Sequence, residues 1–426
     1  MATPKAAPKL SDISVKFTED TLDEIVRSAG GKRCTGWKIH DFDLTKGDAY
    51  LSEVYRIQLT GEPTEAGAEP LVVNAFVKSI PKNVGRRNTF RSADFFRNEI
   101  NFYNVVLKEL YSFQEKRQPK NPYQDIGRCY VAYSDGVNDF IAMEDLGQFG
   151  FGTASRAQGI GMKECLQCLR SLGRFHALSL ALKHQQPETF RTIVDTVQET
   201  YYSASLESWY RNFMQRLVAI SKDALEIEST TNADEFPAEF KAAVLSFLES
   251  NIYQTMVDLT HARNQNSLIT HGDCWLPNFL LRSDSVRLVD FQMVRYGSPA
   301  LDIILFVYTC TDRTMRLEGY EQLLTAYYQS CSELLLDLGT DPQAVFPRTE
   351  LTRELERFGR FGCGIAVESI PLSLLDETEV PDLDKIEGTE ALPLEQVMTV
   401  RNIKTSAGRR RLLDVFRHAY DCGYLQ

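Results

Sequence analysis

No run in this chain is long and apolar enough to span a bilayer; the longest, around Leu301 to Cys310, is short and interrupted by Asp302. The opening Met1-Ala-Thr-Pro-Lys-Ala-Ala-Pro8 lacks the apolar core of a secretory signal, so the expected location is the cytosol. Basic charge is also in deficit. Lys and Arg number 47 against 58 Asp and Glu, a net charge of -11, which argues against nucleic acid as the main partner. The basic clusters that do occur, Arg86-Arg87 and Arg409-Arg410-Arg411, are short and expected to be solvated. Nine cysteines, an odd number spread over the chain, suit reduced thiols better than a disulfide framework. Cys165-x-x-Cys168 has no second ligand pair and sits in a helical pattern, so it reads as core packing and not as a zinc site. No internal repeat and no polar low-complexity tract is present, so the whole chain is expected to fold and no obligate protein partner is evident.

At 426 residues the chain exceeds what one core usually fills, and 43% hydrophobic content supplies ample surface to bury. A short helix is expected over Leu22 to Ser28, followed by strand-like alternation from Trp37 to Lys78. Two strands stand out, Tyr50 to Ile57 and Leu71 to Ile80, joined by the Gly/Pro-bearing turn of residues 61–70. A single glycine in Lys46-Gly47-Asp48, with Ser52 beyond it, offers either a phosphate-cradling turn or an ordinary hairpin turn. From Arg91 to Leu110, Phe95, Phe102, Tyr103, Val106 and Leu110 recur at helical spacing. Glu99 falls on that apolar face, where a carboxylate is costly unless a cation meets it, and Lys78 on the preceding strand is the natural partner. The alternative for Glu99 is an edge position open to solvent.

Asn138 to Met143 reads as a strand leading through Glu144-Asp145-Leu146 into a helical region, a hinge whose backbone could hydrogen-bond an adenine edge. Beyond Met162 helices dominate, with His176 on an apolar face as a core histidine. Trp209 to Leu225 and Phe236 to Ala262 are also expected to be helical, separated by the polar joint 229–234, and residues 379–393 to be a surface connection. The most informative stretch comes next: His271-Gly-Asp-Cys-Trp-Leu-Pro-Asn278, then Asp290-Phe291 after the strand-like Val286 to Val289. Transfer of a γ-phosphoryl group needs a carboxylate to orient the attacking hydroxyl, plus an amide oxygen and a second carboxylate to hold Mg²⁺ against the nucleotide phosphates. Asp273, Asn278 and Asp290 supply those groups at kinase-like spacing.

The stretches 268–278 and 288–302, with Met143-Glu-Asp-Leu146 and Leu172 to Ser179, resemble the ecdysteroid-kinase-like (CHK kinase-like) family, related to choline kinases and aminoglycoside phosphotransferases. The resemblance implies an α+β, two-lobed, protein-kinase-like fold. Residues 1–145 would form a small nucleotide-binding sheet lobe with its hinge, and residues 146–426 a larger, mostly helical lobe for catalysis and acceptor binding. It implies ATP-dependent phosphorylation of a small molecule, with Mg²⁺. Asp273 would be the catalytic base, Asn278 and Asp290 the metal ligands, Lys78 the phosphate lysine and Glu99 its partner. Ser52, Glu144 and Leu146 would contact the nucleotide. Asp302 would brace the catalytic loop. Gly272 in place of an arginine, Gln292 in place of a glycine, and no Ala-Pro-Glu downstream all argue against a protein substrate.

The expected acceptor is a hydroxyl on a lipophilic alcohol, an ecdysteroid being one such molecule. Tyr201, Tyr202, Trp209, Tyr210, Phe213 and Met214 could bury its apolar body, or could simply fill the core. A choline- or aminoglycoside-type acceptor is a second reading, and a catalytically silent nucleotide-binding protein a third.

Overall fold

The computed structural model describes residues 8–40, 51–154, 159–376, 379 and 381–425. The turn Lys46-Gly47-Asp48 lies outside the described residues. Five antiparallel strands form the first sheet: β1 (Gly31–His40), β2 (Glu53–Pro63), β3 (Leu71–Ser79), β4 (Cys129–Tyr133) and β5 (Phe140–Glu144), in the order β1-β2-β3-β5-β4. The 61–70 turn closes the β2–β3 hairpin, with Gly61 opposite Leu71.

Period-two alternation divides the sheet's faces. Ile57, Leu59, Val73, Ala75 and Val77 pack with Leu22, Ile25 and Val26 of the helix Glu19–Ser28 in one core cluster. Full burial of each such aliphatic side chain contributes about 1.5–3 kcal/mol. The helix can lie this close because Gly61 has no side chain; a Cβ there would stand 2.5 Å from Val26 Cγ1. Lys78 has the opposite parity from Val77 and so points away from this cluster.

The helix expected from Arg91 to Leu110 is longer and less regular. It runs from Ser92 to Asn101, widens into a π segment over Phe102–Val106, and continues as an α-helix over Leu107–Arg117. Gln118 ends it in the left-handed conformation, φ 47°. The wide turn seats Phe102 flat against Phe291, centroids 3.9 Å apart, so the helix carrying Glu99 is packed directly onto the segment carrying Asp290.

The rest of the chain is mostly helical, with two small antiparallel pairs: β6 (Leu268–Thr270) with β9 (Arg295–Gly297), and the hairpin of β7 (Phe279–Arg282) with β8 (Ser285–Leu288). The helix Pro299–Cys310 is buried nearly all round, which explains its apolar run without a membrane. Among the described residues no helix is long and apolar enough to cross one. Cys165 and Cys168 are buried in the helix Met162–Gln185, and no group of three or more His, Cys, Asp or Glu that could hold a metal occurs among the described residues.

Three expectations need correction. The helix Glu207–Thr231 runs into the supposed joint at 229–234, and Phe236 to Ala262 is two helices, Ala238–Glu249 and Ile252–His261. The segment 379–393, where described, is more than a surface connection. Asn83 Nδ2 donates to the carbonyls of Asp384 and Ile386, Arg86 pairs with Asp384 at 2.9 Å, and Leu392 N donates to Thr89 Oγ1. Finally, the arginine clusters are not simply solvated: Arg86 is buried, Arg409 and Arg410 pair with Glu228, and Arg411 donates to Ser373 Oγ and the Thr309 carbonyl.

Candidate active site

Five of the eight candidate residues meet in linked networks. Lys78 Nζ lies 2.6 Å from Glu99 Oε2 and 2.8 Å from Asp290 Oδ1. Glu99 is 1% exposed at its side chain, so the carboxylate on the apolar helix face has the cation it requires. Burial pushes the Glu99 carboxyl up while Lys78 pulls it down. Burial works against the Lys78 charge, but Asp290 and Glu99 outweigh it and hold the ammonium well above the usual lysine range. A permanently charged lysine, braced from two sides, suits contact with phosphate oxygens.

The second network sits on the loop of residues 271–278. Asn278 Nδ2 donates to both the Asp273 carbonyl and Asp273 Oδ2, each at 2.9 Å. This orientation commits the amide nitrogen to Asp273 and keeps the amide oxygen apart from it. Asp273 is pushed up to about 7, first by burial and then by the like charge of Asp290, with the Asn278 hydrogen bond opposing.

The loop itself is braced from below. Asp302 accepts from His271 N at 2.6 Å and from Gly272 N at 2.9 Å, and His176 Nε2 contacts it at 3.1 Å. Burial raises the Asp302 carboxyl, but these hydrogen bonds win and it lies below its ordinary value. His176 also meets Tyr327 Oη at 2.8 Å, the satisfied core histidine expected of it. His271 contacts the Val289 carbonyl through Nε2 and accepts from Asp273 N through Nδ1, fixing the protonated nitrogen as Nε2.

Two backbone features belong to this arrangement. Asp290 adopts φ 68°, ψ 68°, a conformation disfavoured for a residue with a side chain and held here by the buried Phe291 that follows. Gly272 has φ 86°, and a Cβ added to it would stand 1.8 Å from the Met293 carbonyl oxygen. That contact, with the left-handed backbone, explains why this position holds glycine. Gly272→Ala is therefore expected to cost roughly 2–5 kcal/mol of stability through backbone strain and overpacking together. Urea denaturation checks it; an unchanged midpoint would show that the loop relaxes without cost.

Ser52, Glu144 and Leu146 are not hydrogen-bonded to these five. Ser52 precedes β2, and its carbonyl accepts from Arg86 Nη2 at 3.0 Å. The Glu144 amide donates to the Arg128 carbonyl, so an adenine contact there would fall to the Glu144 carbonyl and the Leu146 amide. Between them Asp145 pairs with Arg56 at 3.2 Å and accepts from Gly147 N, setting the bend after β5.

Several residues of the site were not anticipated. Asn98 donates to the carbonyls of Gln292 and Val294, tying the Glu99 helix to the segment after Asp290. Arg295, buried on β9, pairs with Glu199 at 2.7 Å, and Glu199 in turn accepts from the amides of Tyr201 and Tyr202. The hydroxyls of those two tyrosines donate to Glu368, on the helix Arg360–Ser373. Glu368 was detectable by the argument applied to Glu99, a lone carboxylate in an apolar helical run. Asn98 and Arg295 carried no such signal.

Of the aromatic residues considered for an acceptor wall, Tyr202, Tyr210, Phe213 and Met214 are core, whereas Tyr201 and Trp209 keep part of their surface open. A cavity of about 220 Å³ lies beside the same loop, lined by Trp275, Leu276, Pro277, Thr311 and Ser369 among others.

The sequence pattern of the ecdysteroid kinase-like family matches residues 46–340. No curated protein matches the chain in sequence. Among solved structures the chain is similar to a spectinomycin phosphotransferase in complex with ADP and spectinomycin, at 12% identity over 95% of this chain and 99% of that one, TM-score 0.41. It is also similar to a choline kinase from Cryptosporidium parvum Iowa II, at 10% identity over 91% of each chain, TM-score 0.38. An ethanolamine kinase from Plasmodium vivax shares 10% identity over 90% of this chain and 82% of its own, TM-score 0.40.

Proposed function

The chain belongs to the ecdysteroid kinase-like family, and from that premise we propose that it transfers the γ-phosphoryl group of ATP to a hydroxyl of a lipophilic alcohol, an ecdysteroid being one member of that class. The observation that carries the reading is Lys78 held between Glu99 and Asp290, together with a loop on which Asp273, under the like charge of Asp290, is hydrogen-bonded to Asn278. Phosphoryl transfer asks the protein mainly for positioning and for charge compensation. In this reading Lys78 engages the nucleotide phosphates, Glu99 fixes the lysine, and Asp273 orients the acceptor hydroxyl and takes its proton. The backbone at Glu144 and Leu146 receives the adenine, and Ser52 lies at the phosphate end of the sheet.

The donor set fits Mg²⁺. The Asn278 amide oxygen and the Asp290 carboxylate are hard oxygen ligands, and two protein ligands suffice when phosphate oxygens complete the shell. When bound, the cation neutralises charge on the transferring group. For the acceptor, the partly open rings of Tyr201 and Trp209 and the cavity by Trp275 supply apolar surface near Asp273. At about 220 Å³ the cavity is smaller than a typical pocket for a drug-sized ligand, so a steroid-sized body would extend out of it.

An ATP-consumption assay over steroid alcohols, phenolic alcohols, choline and an aminoglycoside, run competitively, tests the reading. A lipophilic alcohol is expected to give the highest kcat/KM. If choline or the aminoglycoside exceeds every lipophilic alcohol tried, a hydrophilic cationic acceptor replaces this assignment.

A further inference from the structure

We propose that the cavity between the helix Leu107–Arg117 and residues 122–129 is a second small-molecule site, which takes a neutral, planar aromatic molecule carrying a hydrogen-bond-accepting oxygen. It goes beyond the phosphoryl-transfer reading and does not depend on it.

The first observation is a large space with fixed walls. The cavity encloses about 760 Å³, within the roughly 300–1,000 Å³ of small-molecule sites and well above the cavity beside the 271–278 loop. One wall is the helix Leu107–Arg117 with the π segment before it, which together supply Tyr103, Leu107 and Tyr111. The other wall, residues 122–129, is fastened to its surroundings without any ligand. Leu288 N donates to the Asp125 carbonyl at 2.8 Å, Ile126 bridges to Leu288, and Glu144 N donates to the Arg128 carbonyl at 2.8 Å. Lys78, Asp273, Asn278 and Asp290 do not line this cavity; of the residues considered for phosphoryl transfer, only Glu144 does.

The second observation is a pair of buried hydroxyls left without partners. Tyr123 is 1% exposed, and among the described residues neither its hydroxyl nor that of Tyr111 has a hydrogen-bond partner. Both residues line the cavity. The polar side chains nearby are occupied. Gln114 is spent on the Tyr123 backbone, accepting from its amide at 2.6 Å and donating to its carbonyl at 3.1 Å, and Ser171 gives its own hydrogen to Asp125 Oδ2. Burial pushes both phenols up, so at neutral pH each keeps a hydrogen to donate. A buried O–H without an acceptor is costly, and a ligand oxygen in the cavity removes that cost.

The third observation is the character of the lining. Tyrosine rings, with Pro119 and Pro122, present flat faces that suit a flat ring. Charge favours no ion. Lys108 and Arg128 are balanced by Glu115 and Glu144, so the lining carries no net charge.

Chromone and naphthalene are fused bicycles of the same outline, and only chromone carries acceptor oxygens, so equilibrium dialysis of each against the full chain isolates the hydrogen bonds. Wild type is expected to bind chromone about fivefold more tightly than naphthalene, or better. With Tyr111→Phe and Tyr123→Phe combined, that ratio should fall below about twofold. The melting temperature should stay the same or rise, because the hydroxyls removed had no partner in the free protein. A merely structural role for them would lower it, and a lowered melting temperature overturns the proposal. Absence of saturable chromone binding by wild type, or a ratio preserved in the double variant, overturns it equally. Gln124→Trp, at an exposed lining position, places a ring in the cavity mouth and should weaken chromone binding about fivefold or more. An unaltered affinity there would mean that chromone binds elsewhere, the adenine cleft included, and the proposal would fall.

Discussion

Asp290→Ala is expected to abolish Mg²⁺-dependent phosphoryl transfer, by on the order of a thousandfold or more, while leaving the fold intact. The carboxylate is the one anionic ligand that the proposed cation site has, since its partner Asn278 contributes only an amide oxygen. Its loss leaves the charge on the transferring group uncompensated. Folding should survive for reasons visible in the structure. Asp290 is 30% exposed at its side chain, and Lys78 retains Glu99 when the 2.8 Å contact to Asp290 disappears. The neighbouring Phe291, not Asp290, anchors the segment through its stack on Phe102. The pairing also predicts a secondary effect. With one of its two carboxylates gone, Lys78 loses part of what holds it charged, so weaker ATP binding should accompany the loss of turnover. Circular dichroism, ATP titration and an acceptor-dependent ADP assay on the same preparation check all three points. A well-folded Asp290→Ala protein with full activity would remove the central assignment.

The parts of the molecule that could be read from the sequence are those whose physical chemistry is local. Alternation at Leu71 to Ile80 is a property of ten adjacent residues, and it gave β3, Leu71–Ser79, with Lys78 on the face away from the small core. Glu99 was legible because a carboxylate among Phe95, Phe102 and Tyr103 is costly without a partner, and only the strand before it offered a lysine. The spacing of Asp273, Asn278 and Asp290 was legible because a loop followed by a short hairpin fixes it. What escaped was non-local. Nothing near Asn83 or Arg86 announces a contact with residues some 300 positions later, yet Asp384 and Ile386 are held there by three hydrogen bonds. The π segment at Phe102–Val106 is set by the need to seat Phe102 on Phe291, a contact between elements, and helical periodicity alone cannot show it. Of the aromatic stretch from Tyr201 to Met214, Tyr201 and Trp209 stay partly open while Tyr202, packed on Phe361, joins Tyr210, Phe213 and Met214 in the core, again a matter of distant packing. Glu368, likewise a lone carboxylate in an apolar helical run but met by tyrosine hydroxyls, could have been found by searching every apolar helix in the same way.

Asp273→Asn should separate catalysis from nucleotide binding. Asp273 touches Asn278 and lies under the field of Asp290, but it has no contact with Lys78, so ATP affinity is expected to stay within about threefold of wild type while kcat drops by on the order of a hundredfold or more. The asparagine preserves the shape of the loop and removes only the ability to accept a proton. The pH dependence gives an independent check. Burial and the Asp290 charge push the Asp273 carboxyl up to about 7, and a general base works only when deprotonated, so wild-type kcat should decline as pH falls through this range. A cation bound at Asp290 offsets the repulsion that contributes to the shift, so the midpoint under saturating Mg²⁺ should lie no higher than about 7. The residual activity of Asp273→Asn should lack that acid limb. Steady-state kinetics across pH, with ATP binding measured separately, decide the matter. If the variant loses ATP binding and turnover in equal measure, or keeps the wild-type acid limb, the proton is taken by another group and Asp273 is a structural member of the loop.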